Sequence, residues 1–198
     1  MEINMMTAES ALKLLMEGNK RSIFGYMERG ENFRERREEL SQKGQSPFAL
    51  IICCSDSRVV PEIIFDQGIG DLFVVRTAGN VLDQVGFGSV EYGAEHLHIP
   101  LIIVLGHEQC GAVKAAIDGE EAHGCLKAII EKIKPAIDTT KKPKDPYEAC
   151  ADNNIRNTVA ELKNNAVIKK LIDQNSLTVL GAKYRIFTGE VEFFTERP

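Results

Sequence analysis

Three apolar runs mark the first two thirds of the chain. Phe48-Ala49-Leu50-Ile51-Ile52-Cys53-Cys54 has no polar position that would face water, and neither has Leu101-Ile102-Ile103-Val104-Leu105-Gly106; Leu72-Phe73-Val74-Val75 is a shorter version. A strand with one wet face alternates apolar and polar residues, whereas a strand covered on both faces does not, so the first run predicts a parallel strand covered on both faces, and the other two predict a second and a third strand. Residues 7–28 read as a helix, capped by Thr7 and carrying Leu12, Leu15, Ile23 and Phe24 at near-helical spacing. Residues 34–44 are highly charged and read as a solvated connector. Further helices are predicted over 85–98 (interrupted early by Gly86 and Gly88), from 112 to 117, over 126–137, and as one long pattern over 147–173 with Ile155, Val159, Leu162 and Ile168. A Lys/Pro-rich break covers 141–146, and terminal strands cover 177–181 and 191–194, with a turn around Thr188-Gly189. The alternation predicts an α/β fold with a mostly parallel central β-sheet flanked by helices. The chain reads as a single domain, residues 1–198, with a helical segment and connector over 1–44 and the α/β core over 45–198.

Bulk properties narrow the function. At 198 residues, with 43% hydrophobic and 27% charged, one domain with a substantial core is expected. A net charge of −5 argues against non-specific nucleic-acid binding. No apolar run approaches the roughly 20 residues that span a bilayer, so no membrane partner is expected. Met1-Glu2-Ile3-Asn4 lacks the basic stretch and apolar segment of a secretory leader, and a cytoplasmic location is the expectation. Five cysteines, an odd number without framework spacing, suit a reducing compartment, where Cys acts as ligand, nucleophile or small core residue. Cys125 and Cys150 fall in helix-like stretches and read as packing residues.

The candidate chemistry lies just beyond the strands. Cys54-Ser55-Asp56-Ser57-Arg58 follows the first run, and His107-Glu108-Gln109-Cys110 follows the third. In open parallel sheets, sites form beyond the carboxyl ends of strands, so the two motifs are expected to converge. Two thiolates and an imidazole suit zinc, and three protein ligands leave a fourth position for water. The competing reading is two structural cysteines and an unrelated histidine. Two thiolates also cancel the formal charge of Zn²⁺, so this site acidifies water less than three histidines would. Asp56 then gains a role, accepting a hydrogen bond from the nucleophile, while Arg58 holds Asp56 ionised and away from the metal. Without Arg58, Asp56 itself would become the fourth ligand. The plain alternative is a surface salt bridge worth about 0–1 kcal/mol.

These motifs, with Gly106 to Val113, Asp71 to Asn80 and, more loosely, 154–171 and 189–193, resemble the β-class carbonic anhydrases. The resemblance implies reversible hydration of carbon dioxide to bicarbonate and a proton. It implies one Zn²⁺ per chain on Cys54, His107 and Cys110, with Asp56 and Arg58 as the catalytic dyad. Gln45, Phe73, Ala78, Tyr92 and Gly111 match substrate-binding positions, although core packing accounts equally well for Phe73 and Tyr92, and a simple loop for Gln45. An N-terminal helical arm used in dimerisation is implied, with a homodimer or dimer of dimers and active sites at the dimer interface. The chain has no Trp, so a non-catalytic bicarbonate site built from Trp, Arg and Tyr is incomplete. The expected state has water, not Asp56, in the fourth position. His96, His98 and His123 are the candidates by residue type for carrying a proton away, but nothing in the sequence fixes them near the metal, and each also reads as a solvated side chain. Two other functions stay open: a hydrolase of a CO₂-like molecule such as carbon disulfide or carbonyl sulfide, and a non-catalytic zinc or redox protein.

Overall fold

A computed structural model describes residues 6–28, 33–119, 121–138, 140 and 143–194. Met1 to Asn4 and the first two residues of the Lys/Pro-rich break, Lys141 and Lys142, lie outside them. Five strands form one sheet: β1 (Ala49–Cys54), β2 (Leu72–Thr77), β3 (Leu101–His107), β4 (Thr178–Tyr184) and β5 (Val191–Phe194), in the order β2-β1-β3-β4-β5. All pairings are parallel except β4 with β5, which the tight turn between them makes antiparallel. Every residue of β1 and β3 is buried, as their unbroken apolar runs require.

Alternation along the strands sends side chains to two cores. Leu50, Ile52, Ile102 and Val104 face one layer, where they meet Val90 of α4 (Gln84–Glu91), Ile155 and Val159 of α7 (Pro146–Asn164) and Ile168 of α8 (Ala166–Asp173). Ala49, Ile51, Cys53, Leu101, Ile103 and Leu105 face the other, against Ala11 and Leu15 of α1 (Ala8–Phe24) and Ile64 of the short α3 (Pro61–Ile64). A third cluster sits at the carboxyl ends of the strands. There Cys54 and Cys110 pack with Val113 of α5 (Gly111–Asp118), Ile130 and Ile133 of α6 (Leu126–Ile133), and Cys150.

The helix expected at the N-terminus is present, with the Thr7 hydroxyl accepting from Ser10 N–H as cap. It is fastened to the chain's own sheet. Gly18 lies so close to the Phe65 carbonyl that a Cβ there would stand 1.8 Å from its oxygen. Arg21 pairs with the fully buried Asp66 at 2.5 Å, and the Asn19 amide bridges Ile64 O, Gly189 O and Val191 N–H. Met16, Ile23 and Phe24 remain exposed on the same helix.

Several expectations need correction. Residues 34–44 are not an irregular connector: α2 (Phe33–Lys43) is a helix with no buried residue, supported by Arg34–Glu38 and Glu39–Lys43 pairs at i,i+4 spacing. The pattern over 147–173 is two helices. Asn165 leaves helical geometry, at ψ 133°, and its side chain accepts from Val167 and Ile168 N–H to cap α8. Gly86 and Gly88 stand inside α4 without interrupting it, because Asp83 caps its first turn, and the helix widens into one π-turn at Tyr92–His96. Cys150 is buried as expected, but Cys125 is exposed, at the residue just before the first turn of α6.

Candidate metal centre

The register brings the two motifs together. β1 lies between β2 and β3, so Cys54 ends beside Thr77 on one side, while His107 ends β3 on the other. Gln109 adopts φ 55°, and this left-handed residue turns the chain so that Cys110 comes back toward His107 before α5 begins. The ligand atoms of Cys54, His107 and Cys110 all lie within 4.8 Å of one another, and all three residues are buried. The two sulfur atoms are 4.0 Å apart. Tetrahedral zinc, with bonds of about 2.3 Å to S and about 2.0 Å to N, requires S···S of about 3.8 Å and S···N of about 3.5 Å. His107 Nδ1 donates to the Glu108 carbonyl at 2.8 Å, which leaves Nε2 as the ligand atom. That Nε2 is buried and has no hydrogen-bond partner among the described residues. An orphaned buried nitrogen beside two soft sulfurs is the donor set zinc fits, so the residues present suit the metal.

Neighbouring groups tune the sulfurs. Cys54 is held down to about 4, first because Cys110 offers it a proton, then by His107 and by Gly79 N–H at 3.3 Å, against the opposing effect of burial. The same shared proton and burial push Cys110 up. Cys53 faces the opposite side of the sheet, where burial pushes its thiol up to about 12 and keeps it a packing residue. Gly79 itself has φ 74°, a conformation that costs a side-chain-bearing residue, and a Cβ there would meet Ile133 at 2.7 Å.

Asp56 lies at the rim. Arg58 Nε and Nη2 donate to its two carboxylate oxygens at 2.9 and 2.8 Å, and Arg58 N–H donates at 2.9 Å. The Arg58 guanidinium holds the Asp56 carboxyl well below the usual carboxylate range. Asp56 Oδ2 is 4.0 Å from His107 Nε2, so the carboxylate stands beside the cluster without leaving Arg58. Arg76 holds the same loop from below, donating to Cys54 O at 3.3 Å and Asp56 O at 2.9 Å. Its role escaped the sequence reading; the signal was a charged residue at the otherwise apolar end of β2. Ser55, Ser57, Gln109 and Gly111 are exposed around this rim, and the space in front of Gly111 is open.

The other candidates divide. Ala78, one residue before Gly79, and Gly111, next to Cys110, lie at the metal end. Gln45, Phe73 and Tyr92 do not. Phe73 pairs with Leu50, four residues before Cys54, which at about 3.3 Å per residue is roughly 13 Å back along the strand. Its ring lies against that of Tyr92, with centroids 6.2 Å apart, and Gln45 precedes β1 altogether.

Comparison with known proteins agrees with this geometry. A family model described as carbonic anhydrase matches residues 49–191. The chain is 40% identical to a carbonic anhydrase of Mycolicibacterium smegmatis over 192 residues, covering 92% of this chain and 91% of that one. It is 33% identical to a carbonic anhydrase of Synechocystis, covering 91% and 70%. Among solved structures, the β-carbonic anhydrase CcaA superposes with a TM-score of 0.74 at 31% identity, covering 93% of this chain and 95% of that one. A structure described as tetrameric β-carbonic anhydrases of Sordaria macrospora gives 0.74 at 26% identity, over 81% and 87%.

Proposed function

The chain belongs to the β-class carbonic anhydrase family, and on that premise we propose that it catalyses the reversible hydration of carbon dioxide to bicarbonate and a proton, with one zinc ion per chain on Cys54, His107 and Cys110. The observation that carries this reading is the orphaned His107 Nε2, facing two sulfurs and, 4.0 Å away, a carboxylate already claimed by Arg58. Zinc held by this set supplies Lewis acidity that makes a hydroxide nucleophile available near neutral pH. Asp56, ionised and able only to accept, would receive a hydrogen bond from the attacking oxygen and so turn a lone pair toward the carbon of CO₂. Arg58 occupies both Asp56 oxygens and keeps the carboxylate from becoming a ligand. Because two thiolates neutralise the ion's charge, more of the orientation falls to this dyad. Ala78 and the open space at Gly111 flank the approach of a small linear substrate.

The separation of Gln45, Phe73 and Tyr92 from the metal end supports a homo-oligomer as the working unit. These three residues meet a metal centre only if it belongs to a second copy, which would explain why Tyr92 stands exposed beside Phe73. Exposed Met16, Ile23 and Phe24 on α1 supply apolar surface for such a partner. No helix among the described residues is long and apolar enough to cross a membrane. A pair of ligand thiolates suits a reducing compartment, and we assign the protein to the cytoplasm on that ground.

Zinc analysis with stopped-flow CO₂ hydration, before and after chelation, tests the proposal. Stoichiometric zinc and chelator-sensitive hydration are expected. Zinc without hydration, or faster turnover of carbon disulfide than of carbon dioxide, would overturn it.

A further inference from the structure

Glu108 stands between two of the metal ligands yet points away from them, and its contacts are long-range. Its N–H donates to Tyr184 O at 3.2 Å, extending the β3–β4 ladder past His107. Its carbonyl accepts from His107 Nδ1 at 2.8 Å. Its carboxylate crosses to the turn between β4 and β5, where Oε1 accepts from Phe187 N–H at 3.1 Å. Arg185 stands 3.8 Å from the other oxygen, but its guanidinium is committed to Glu192 at 2.9 and 3.0 Å and to Glu148 at 2.6 Å. That turn is itself held. Arg185 N–H donates to Glu190 O, Gly189 N–H donates to Arg185 O, and the Asn19 amide of α1 donates to Gly189 O, each at 2.8 Å.

The next residue, Gln109, sits at φ 55°, a conformation that persists in a residue with a side chain only when its surroundings impose it. The peptide joining Glu108 to Gln109 carries the carbonyl that sets the His107 ring. Any rocking of this peptide rotates the imidazole and moves Nε2 off the metal position.

We propose that Glu108 is a positioning residue for the metal centre: its carboxylate, anchored on the Phe187 N–H, fixes the peptide whose carbonyl orients His107. The tie runs from α1 through the β4–β5 turn to the ligand ring, so a contact 79 residues away along the chain sets the aim of a metal ligand. What the site needs from residue 108 is a side-chain oxygen at the reach of a glutamate. Negative charge is secondary, because the hydrogen bond is to a neutral N–H and the nearest cation is satisfied by other carboxylates.

This inference rests on the zinc reading above, and two variants separate it from an electrostatic role. Glu108→Gln keeps the reach and the oxygen and loses the charge; Glu108→Asp keeps the charge and loses one methylene of reach. Zinc affinity of the purified full-length protein is measured by competition with a chromophoric chelator, alongside the visible d–d spectrum of the cobalt(II)-substituted form. Glu108→Asp is expected to weaken zinc about 10- to 100-fold, the usual effect of removing an outer-shell support, and to shift the cobalt bands. Glu108→Gln is expected to stay within about threefold of the parent on the same scale, with unchanged bands. Equal affinities in all three proteins, or loss in Glu108→Gln with retention in Glu108→Asp, would overturn the proposal while leaving the zinc assignment intact. Failure of the parent protein to bind zinc would overturn both. Should Glu108→Asp not fold, Glu108→Ala takes its place: loss of zinc affinity in Glu108→Ala with retention in Glu108→Gln supports the proposal, and equal affinities in Glu108→Ala, Glu108→Gln and the parent overturn it.

Discussion

Arg58 grips Asp56 through two parallel hydrogen bonds, at 2.9 and 2.8 Å, from only two residues along the chain. The pair is local, planar and set at the rim of a buried ligand cluster, so it orients one carboxylate without burying its cation. Charge-assisted bidentate pairs of this kind are the stronger class of side-chain hydrogen bond. Removing the carboxylate should leave the ligands in place and cost the orientation of the nucleophile. Asp56→Ala is expected to lower the CO₂ hydration rate by about 10²-fold or more, in the range of a lost preorganised hydrogen-bond partner at the reacting atoms, with stoichiometric zinc. Full turnover in the zinc-loaded variant would remove Asp56 from the mechanism.

The same pair determines what pH does and does not change. Arg58 lowers the folded-state pKa of Asp56, so the stabilisation it brings is present above the ordinary carboxylate value and is lost only as pH falls through the depressed one. Between pH ~6 and ~9, around the ~7 of a zinc-activated water, Asp56 stays ionised and contributes a constant term. Hydration activity should therefore rise across that window through the nucleophile alone. A rate profile flat over it, or a rising limb whose midpoint follows substitution of Arg58, would contradict this assignment.

Metal loading should release one proton rather than two. In the metal-free protein the two sulfurs share a proton, which holds Cys54 down and pushes Cys110 up, so the pair carries one thiolate and one thiol. Zinc takes both sulfurs as thiolates and expels the proton on Cys110. Calorimetric titration with zinc in buffers of different ionisation enthalpy counts that proton. The count is taken at pH ~6, below the ~7 of a zinc-activated water, so that the bound water adds no proton to it; a count near two would then mean that Cys54 and Cys110 do not share a proton.

Gly79 links the backbone to the ligands. Alanine there must adopt a left-handed backbone, at about 1–2 kcal/mol, and its Cβ would stand 2.7 Å from Ile133 Cδ1 and 3.2 Å from Ala112 Cβ. Any relaxation pulls the Gly79 N–H off Cys54. Gly79→Ala is expected to destabilise the protein by about 2 kcal/mol or more, counting the overpacking, and to weaken zinc binding. Denaturant unfolding and chelator competition check both; an unchanged midpoint would show that the neighbours yield freely.

Much of this architecture was legible along the chain because its signals are short-range. β1 and β3 carry the two longer runs with no polar position, and both are buried throughout, whereas β2, with the shorter run, is a half-buried edge strand. Thr7 caps the first helix as its hydroxyl suggested. The failures had equally local causes. Over 34–44, a charge-rich sequence hid a helix whose ion pairs line one side and whose Arg36 and Leu40 rest on the loop before β2. At Asn165, apolar spacing continued across a residue whose side chain prefers to cap the next helix.

The sequence by itself determined which side chains would converge on one candidate metal position. Strand ends in a parallel sheet share one edge, and a three-residue step from His107 to Cys110 is short enough for one turn to close. Only the tertiary structure decided how far apart the remaining candidates fall. Ala78 and Gly111 lie at the metal end, whereas Gln45, Phe73 and Tyr92 belong to the opposite end of the same strands, a distinction set by register across β1 and β2 rather than by any spacing in the chain. Only the structure, too, joined Glu108 to Phe187. That hydrogen bond spans 79 residues and depends on β4 lying beside β3, a pairing that local pattern carries no information about.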